Sequence, residues 1–149
     1  MAHQFIQHLK KDHEEQRKLG KQLRQAKTPE RREDLRKQLH KALYPHISGE
    51  DVSIFSYMKS RDKKTRQQAL KAMQEHHAGK LLLRELMELA LDSEIFNAKA
   101  YVLDELNQLH MDEEEETHFP TLERLASKEE LDRLFEQYEE AEKEAKSSL

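Results

Sequence analysis

Two stretches of this 149-residue chain carry the same metal-binding side chains at the same spacing. His46 is followed by Glu50, a second acid at Asp51 and an aromatic ring at Phe55; His110 is followed by Glu114, a second acid at Glu115 and Phe119. Upstream of each copy an acid precedes a histidine, Asp12-His13 and Glu75-His76, with a leucine six positions later at Leu19 and Leu82. His13 to His46 is 33 positions and His76 to His110 is 34, while His13 to His76 is 63 and His46 to His110 is 64. Side chains four apart share one face of a helix, so His46 with Glu50, and His110 with Glu114, each offer a nitrogen and an oxygen donor to one small volume. Four such faces brought together supply four imidazoles and two carboxylates inside an apolar box, which is how a bundle builds a metal site in its core.

An ionised carboxylate buried without a partner costs on the order of several kcal/mol, so Glu50 and Glu114 need cations or protons. Two divalent metals, one near the histidines of each half and both touching Glu50 and Glu114 as bridges, would supply the charge. The chain has no cysteine, which removes disulfides, thiolate sites and iron–sulfur clusters and leaves nitrogen and oxygen as the donors. A lone histidine on an apolar face is more often a satisfied core residue than a ligand; four in two matching halves reverse that expectation. The remaining histidines, His3, His8, His40, His77 and His118, lack the repeat relation and read as surface or interface residues, with His77 and His118 the first exceptions because they adjoin the pattern. Glu113, Glu115 and Glu116 read as a solvated acidic face. Met73, Met87, Phe55 and Phe119 read as core filling and, if metals are held, as walls of a small-molecule pocket. No phosphate-cradling glycine loop and no HExxH zinc-protease motif occurs.

The elements that must position these residues are helices. Hydrophobic residues make up 36% of the chain against 38% charged, but only three Gly and three Pro interrupt a sequence rich in Ala, Glu, Lys, Leu, Arg and Gln, the residues that lose least on entering a helix. The spacing predicts a first helix over 4–26 with Phe5, Ile6, Leu9, His13, Leu19 and Leu23 facing inward, and a second over 30–59, capped by Thr28 and Pro29. Pro45 and Gly49 should bend or loosen that second helix beside His46 and Glu50. A third is predicted up to 91 after Asp62, and a fourth over 94–118 after Asp92-Ser93, ended or kinked at Phe119-Pro120. The capping box Ser127-Lys128-Glu129-Glu130 opens a charged last helix to 146, packed on the bundle or used for partner contact. The expected architecture is all-α: an up-down-up-down four-helix bundle over 1–126 with an additional C-terminal helix over 127–149.

The net charge of −4 arises from 26 basic and 30 acidic residues mixed along the same segments, so nucleic acid and anionic membranes are not expected partners. No apolar run approaches the roughly 20 residues that cross a bilayer, and no leader pattern opens the chain, so a cytoplasmic location is expected.

With Asp12-His13, His46-x3-Glu50, Glu75-His76 and His110-x3-Glu114 through Phe119-Pro120 in place, the chain resembles hemerythrin-like proteins of the HHE cation-binding branch, over about Phe5 to Leu125. The resemblance implies a non-haem diiron centre that meets dioxygen or a related diatomic, with His13, His46, Glu50, His76, His110 and Glu114 at the ligand positions. Oxygen carriers of this kind have a second histidine one turn after the third-helix histidine, where this chain has Lys80. Their fourth-helix Asp falls at the offset of Glu115, and some relatives have Glu where Ile47 stands. The resemblance therefore implies six ligands with four histidines, rather than the carrier's five. Members with an iron–sulfur repair role have an additional cysteine-bearing segment, so that role is not expected. Lys80 is expected to extend outward past the site, with a hydrogen bond to a bound ligand as the alternative.

The leading expectation is a protein that holds two iron ions, with zinc or manganese as substitutes, and binds or senses O2, NO or peroxide. A diiron oxidase, peroxidase or NO reductase is the alternative from the enzyme class. The non-catalytic alternative is an iron-handling module that forms a homo-oligomer or takes a protein partner through its last helix.

Overall fold

The computed structural model describes residues 2–149, and among them every regular element is helical. In chain order these are α1 (Gln4–Leu23), α2 (Pro29–Val52), α3 (Ile54–Lys59), α4 (Lys63–Glu88), α5 (Phe96–Glu113), a π-helical turn (Glu114–His118), α6 (Phe119–Leu125) and α7 (Lys128–Ser147). Polar side chains set the starts as their sequence positions predict. Thr28 accepts from the backbone N–H of Arg31, Asp62 from that of Thr65, and Ser127 and Glu130 form a complete capping box. Ahead of α1 the cap is His3, whose Nδ1 accepts from the N–H of Phe5.

The first and third predicted helices end three residues early, at Leu23 and Glu88, and the second and fourth differ more instructively. The second helix does not loosen at Pro45 or Gly49; α2 runs through both and breaks at Ser53, whose φ of −109° and ψ of −91° leave the helical region while its hydroxyl donates to the Gly49 carbonyl at 2.6 Å. The fourth helix starts at Phe96, with Ser93 accepting from the Ile95 N–H. Nor does it end at Phe119-Pro120. The chain passes through the π turn directly into α6, so the irregularity expected at Phe119-Pro120 takes the form of a wider turn just ahead of Pro120.

α1, α2, α4 and α5 run alternately up and down, and their inward residues form two apolar clusters. One gathers Phe5, Ile6 and Leu9 with Ile54, Phe55, Met58, Ala69, Ala72, Phe119 and Leu122. The other, at the opposite end, gathers Leu19, Leu23, Leu35, Leu39, Leu43, Leu83, Leu86, Phe96 and Leu103. Between the clusters lies the layer of His13, His46, Glu50, His76, His110 and Glu114, all buried. The last helix is part of this packing: α7 lies along α2 and buries Leu131, Leu134 and Tyr138. No helix among the described residues is long and apolar enough to cross a membrane.

Candidate metal centre

Each of the four bundle helices delivers one histidine to the central layer, and α2 and the π turn add one carboxylate each. These six residues fall into two overlapping groups, His13, His46, Glu50 and Glu114, and Glu50, His76, His110 and Glu114, each with donor atoms within 4.8 Å of one another. The two glutamates belong to both. Glu50 lies 3.3 Å from His46 Nε2 through one oxygen and 3.2 Å from His76 Nε2 through the other. Glu114 does the same across the pseudo-twofold, 2.9 Å from His13 Nε2 through Oε1 and 2.6 Å from His110 Nε2 through Oε2. The structure thus brings together all six residues picked out by the repeat, and it places the two glutamates between the halves.

The orientation of the rings is fixed from behind. His13 Nδ1 donates to Glu115 at 2.7 Å, His46 Nδ1 to Asp12 at 3.0 Å, His76 Nδ1 to Asp51 at 2.6 Å and His110 Nδ1 to Glu75 at 3.0 Å. A carboxylate only accepts, so each contact puts the proton on Nδ1 and turns the Nε2 lone pair of a neutral ring inward. The acids cross over between helices. Asp12 precedes His13 but holds His46, and Glu75 precedes His76 but holds His110. Asp51 follows Glu50 and holds His76, while Glu115 follows Glu114 and holds His13. Glu115 is therefore not part of a solvated acidic face; Glu116, exposed, and Glu113, paired with the exposed Lys71, fit that description.

What the inward atoms face decides whether a cation fits. His13 Nε2, His46 Nε2 and all four oxygens of Glu50 and Glu114 are buried without a hydrogen-bond partner among the described residues. His76 Nε2 and His110 Nε2 stand 2.8 Å apart with both Nδ1 atoms already donating. Lone pairs converging on lone pairs in a dry layer are repulsive unless protons or cations stand between them. Protonation is one answer the electrostatics provide. Burial disfavours the charged ring of His46, yet Glu50 and the bond to Asp12 outweigh it and push the ring up to about 10. Burial likewise opposes Glu114, but His110, His13 and His76 hold its carboxyl well below the usual range. Divalent metals are the other answer, and a borderline-soft nitrogen with hard oxygen donors is a fitting set for iron, zinc or manganese.

Outside the six, Tyr138 takes a position that the sequence reading did not assign, while Phe55, Phe119 and Lys80 fall where it placed them. Tyr138 of α7 is fully buried and its hydroxyl donates to Asp12 at 2.9 Å, 3.1 Å from His46 Nδ1. Burial beside Asp12 and Glu142 raises that phenol above its ordinary pKa, so it remains a donor. His118 is buried, not on the surface, with neither ring nitrogen bonded among the described residues and the edge of Phe55 against its ring at 5.5 Å. Phe119 stacks on His13 at 5.7 Å, and Phe55 meets His76 edge-on at 5.3 Å, so both rings wall the layer. His77 is exposed and does not join the centre. Lys80 extends away from it over the ring of Tyr44 at 5.1 Å. Both residues line an outer groove of about 550 Å3 between α2 and α4, to which none of the six central residues contributes.

The model of the hemerythrin HHE cation binding domain matches residues 4–122. No curated protein and no solved structure matches the chain.

Proposed function

Because the chain belongs to the hemerythrin HHE cation-binding domain family, we propose that its central layer holds two iron ions through His13, His46, Glu50, His76, His110 and Glu114 and binds or senses O2, NO or peroxide. The observation that carries this reading is the inward convergence of Nε2 lone pairs and four carboxylate oxygens, every ring held from behind by its own carboxylate. Iron held by nitrogen and oxygen donors with coordination positions left over binds small diatomics and can exchange electrons with them.

The protein's own part is orientation and exclusion. Asp12, Asp51, Glu75 and Glu115 keep each Nδ1 protonated, which fixes the ring planes and raises the basicity of Nε2. Glu50 and Glu114, each facing histidines of both groups, supply the two negative charges that a pair of cations needs in an apolar surround. The phenyl rings of Phe55 and Phe119 keep bulk water from the layer. Metal content by mass spectrometry after anaerobic loading with ferrous iron, with absorption spectra before and after air, tests the reading. About two irons per chain with oxo-bridge bands on oxidation is the expected result. No bound iron in a folded chain would overturn it, and zinc or manganese in iron's place would change the chemistry proposed.

A further inference from the structure

Gly79 lies in the middle of α4, buried, one turn after Glu75 and three residues after His76. A glycine in a helix interior weakens the helix, so a buried one normally answers to a neighbour that needs the room. Gly20 and Gly49 fit that rule, since a Cβ on either would run into Asp104 or into the ring of Tyr138. At Gly79 a Cβ would meet nothing within 4 Å. The room is a cavity of about 20 Å3 with four aliphatic walls, Leu43, Ile47, Leu103 and Leu106, and four polar ones, Glu75, His76, Asn107 and His110. That volume holds about one water-sized molecule. Aliphatic walls beside the Glu75 carboxylate favour a neutral occupant over an anion.

We infer that the cavity kept open by Gly79 is the docking site through which a neutral diatomic ligand reaches the metal position between His76 and His110. The inference rests on the diiron reading and assigns the incoming ligand to one half of the centre. Both halves have aromatic neighbours, Phe119 and Tyr138 on His13 and His46 and Phe55 on His76, and the cavity of Gly79 adjoins the half built from His76 and His110. The aliphatic walls and the Glu75 carboxylate favour O2 or NO over anions such as azide, which must shed water and approach a like charge to enter.

The test compares wild type with Gly79→Ala and Gly79→Leu, using NO added anaerobically to the ferrous protein as the probe. In the metal-free chains Gly79→Ala is expected to raise Tm by about 2–4 °C, because a methyl joins a helix without a clash. A lowered Tm would show the space is not there and would overturn the inference. In the loaded chains iron per chain is expected to match wild type. The NO affinity should fall at least tenfold in Gly79→Leu and less in Gly79→Ala. Full iron with wild-type NO affinity in Gly79→Leu would overturn the docking site and leave the diiron reading standing. Absence of iron from wild type itself would instead overturn the diiron reading and the inference with it.

Discussion

A Cβ on Gly49 would stand 2.6 Å from the ring of Tyr138, so the absence of a side chain on α2 is what lets α7 lie against it. The same tyrosine then reaches over α2 to Asp12 and His46. The glycine is therefore a contact of the last helix, not a loosening of the second. Gly49→Ala should cost about 1–3 kcal/mol through overpacking, and Tyr138→Phe about 1 kcal/mol through the lost bond to Asp12. Urea unfolding of the metal-free chain measures both. A Gly49→Ala chain as stable as wild type would mean that α7 can shift without cost.

Glu114 faces His13 with one oxygen and His110 with the other, so its removal should disturb both metal positions at once. Glu114→Ala is expected to lose both irons, whereas His110→Ala should retain part of the metal in the half built from His13 and His46. Iron per chain by mass spectrometry separates the two outcomes. A Glu114→Ala chain that still loads two irons would remove that residue from the ligand set.

The carboxylates behind the rings predict a graded effect. Glu115→Gln and Asp51→Asn leave the six inward residues untouched but exchange the charged acceptors behind His13 and His76 for neutral amide oxygens. Loss of such a partner lowers metal affinity by about 10–100-fold. Glu116→Gln, on the exposed side of the same acidic run, should leave it unchanged. Competition with a chromophoric chelator reads all three, and equal affinities in Glu115→Gln and Glu116→Gln would deny Glu115 its role.

The six central residues were legible because period and repeat are local properties. An i, i+4 pair shares a face wherever its helix packs, and two halves of near-equal spacing put their faces at one height. Residues that depend on how helices meet were not. Asp12 and Glu75 stand out as acids beside histidines, but that they serve the histidine of the next helix follows only from packing. Tyr138 lies outside the repeat, and its helix is mostly charged, so nothing local marks it as reaching His46. His118 adjoins the repeat without sharing its spacing, and its burial depends on the π turn. Eight residues beyond His110 an ideal α-helix has rotated by about 80° from the starting face. The wider π turn at Glu114–His118 draws that side chain back inward.

Protons and metals compete for the same inward atoms, which gives the metal-free and loaded chains opposite pH dependence. Without metal, His46 is pushed up to about 10 and His110 to about 9, Glu114 outweighing burial for the latter, against 6.5 for a free imidazole. Their contribution to stability is full below pH 6.5 and disappears as pH rises through 9 and 10. Glu114, held well below 4.5, contributes above that value, and its share is lost as pH falls through its lowered pKa. The metal-free bundle should thus be most stable between about pH 4.5 and 6.5 and weaken toward pH 10. Metal needs the rings neutral, so affinity should rise with pH and loading at pH 7 should release protons. Unfolding midpoints across this range, and a pH-stat trace during ferrous addition, check both statements. Loading without proton release would mean that the rings are already neutral in the metal-free chain.

His118 gives the sharpest contrast between packing and service to the metal. An unpartnered polar group in a dry interior costs about 1–3 kcal/mol, so exchanging it for an apolar side chain of similar size should be neutral or stabilising. His118→Leu is expected to raise the metal-free unfolding free energy by about 1 kcal/mol and to leave iron per chain unchanged, since the ring is not among the donor atoms that converge in the central layer. Unfolding and metal content measured on the same preparation decide it. A stabilised chain that has lost iron would show that His118 turns toward a metal once one is bound. A destabilised chain with full iron would show that its nitrogens are bonded in solution, and that the edge of Phe55 is not their main neighbour.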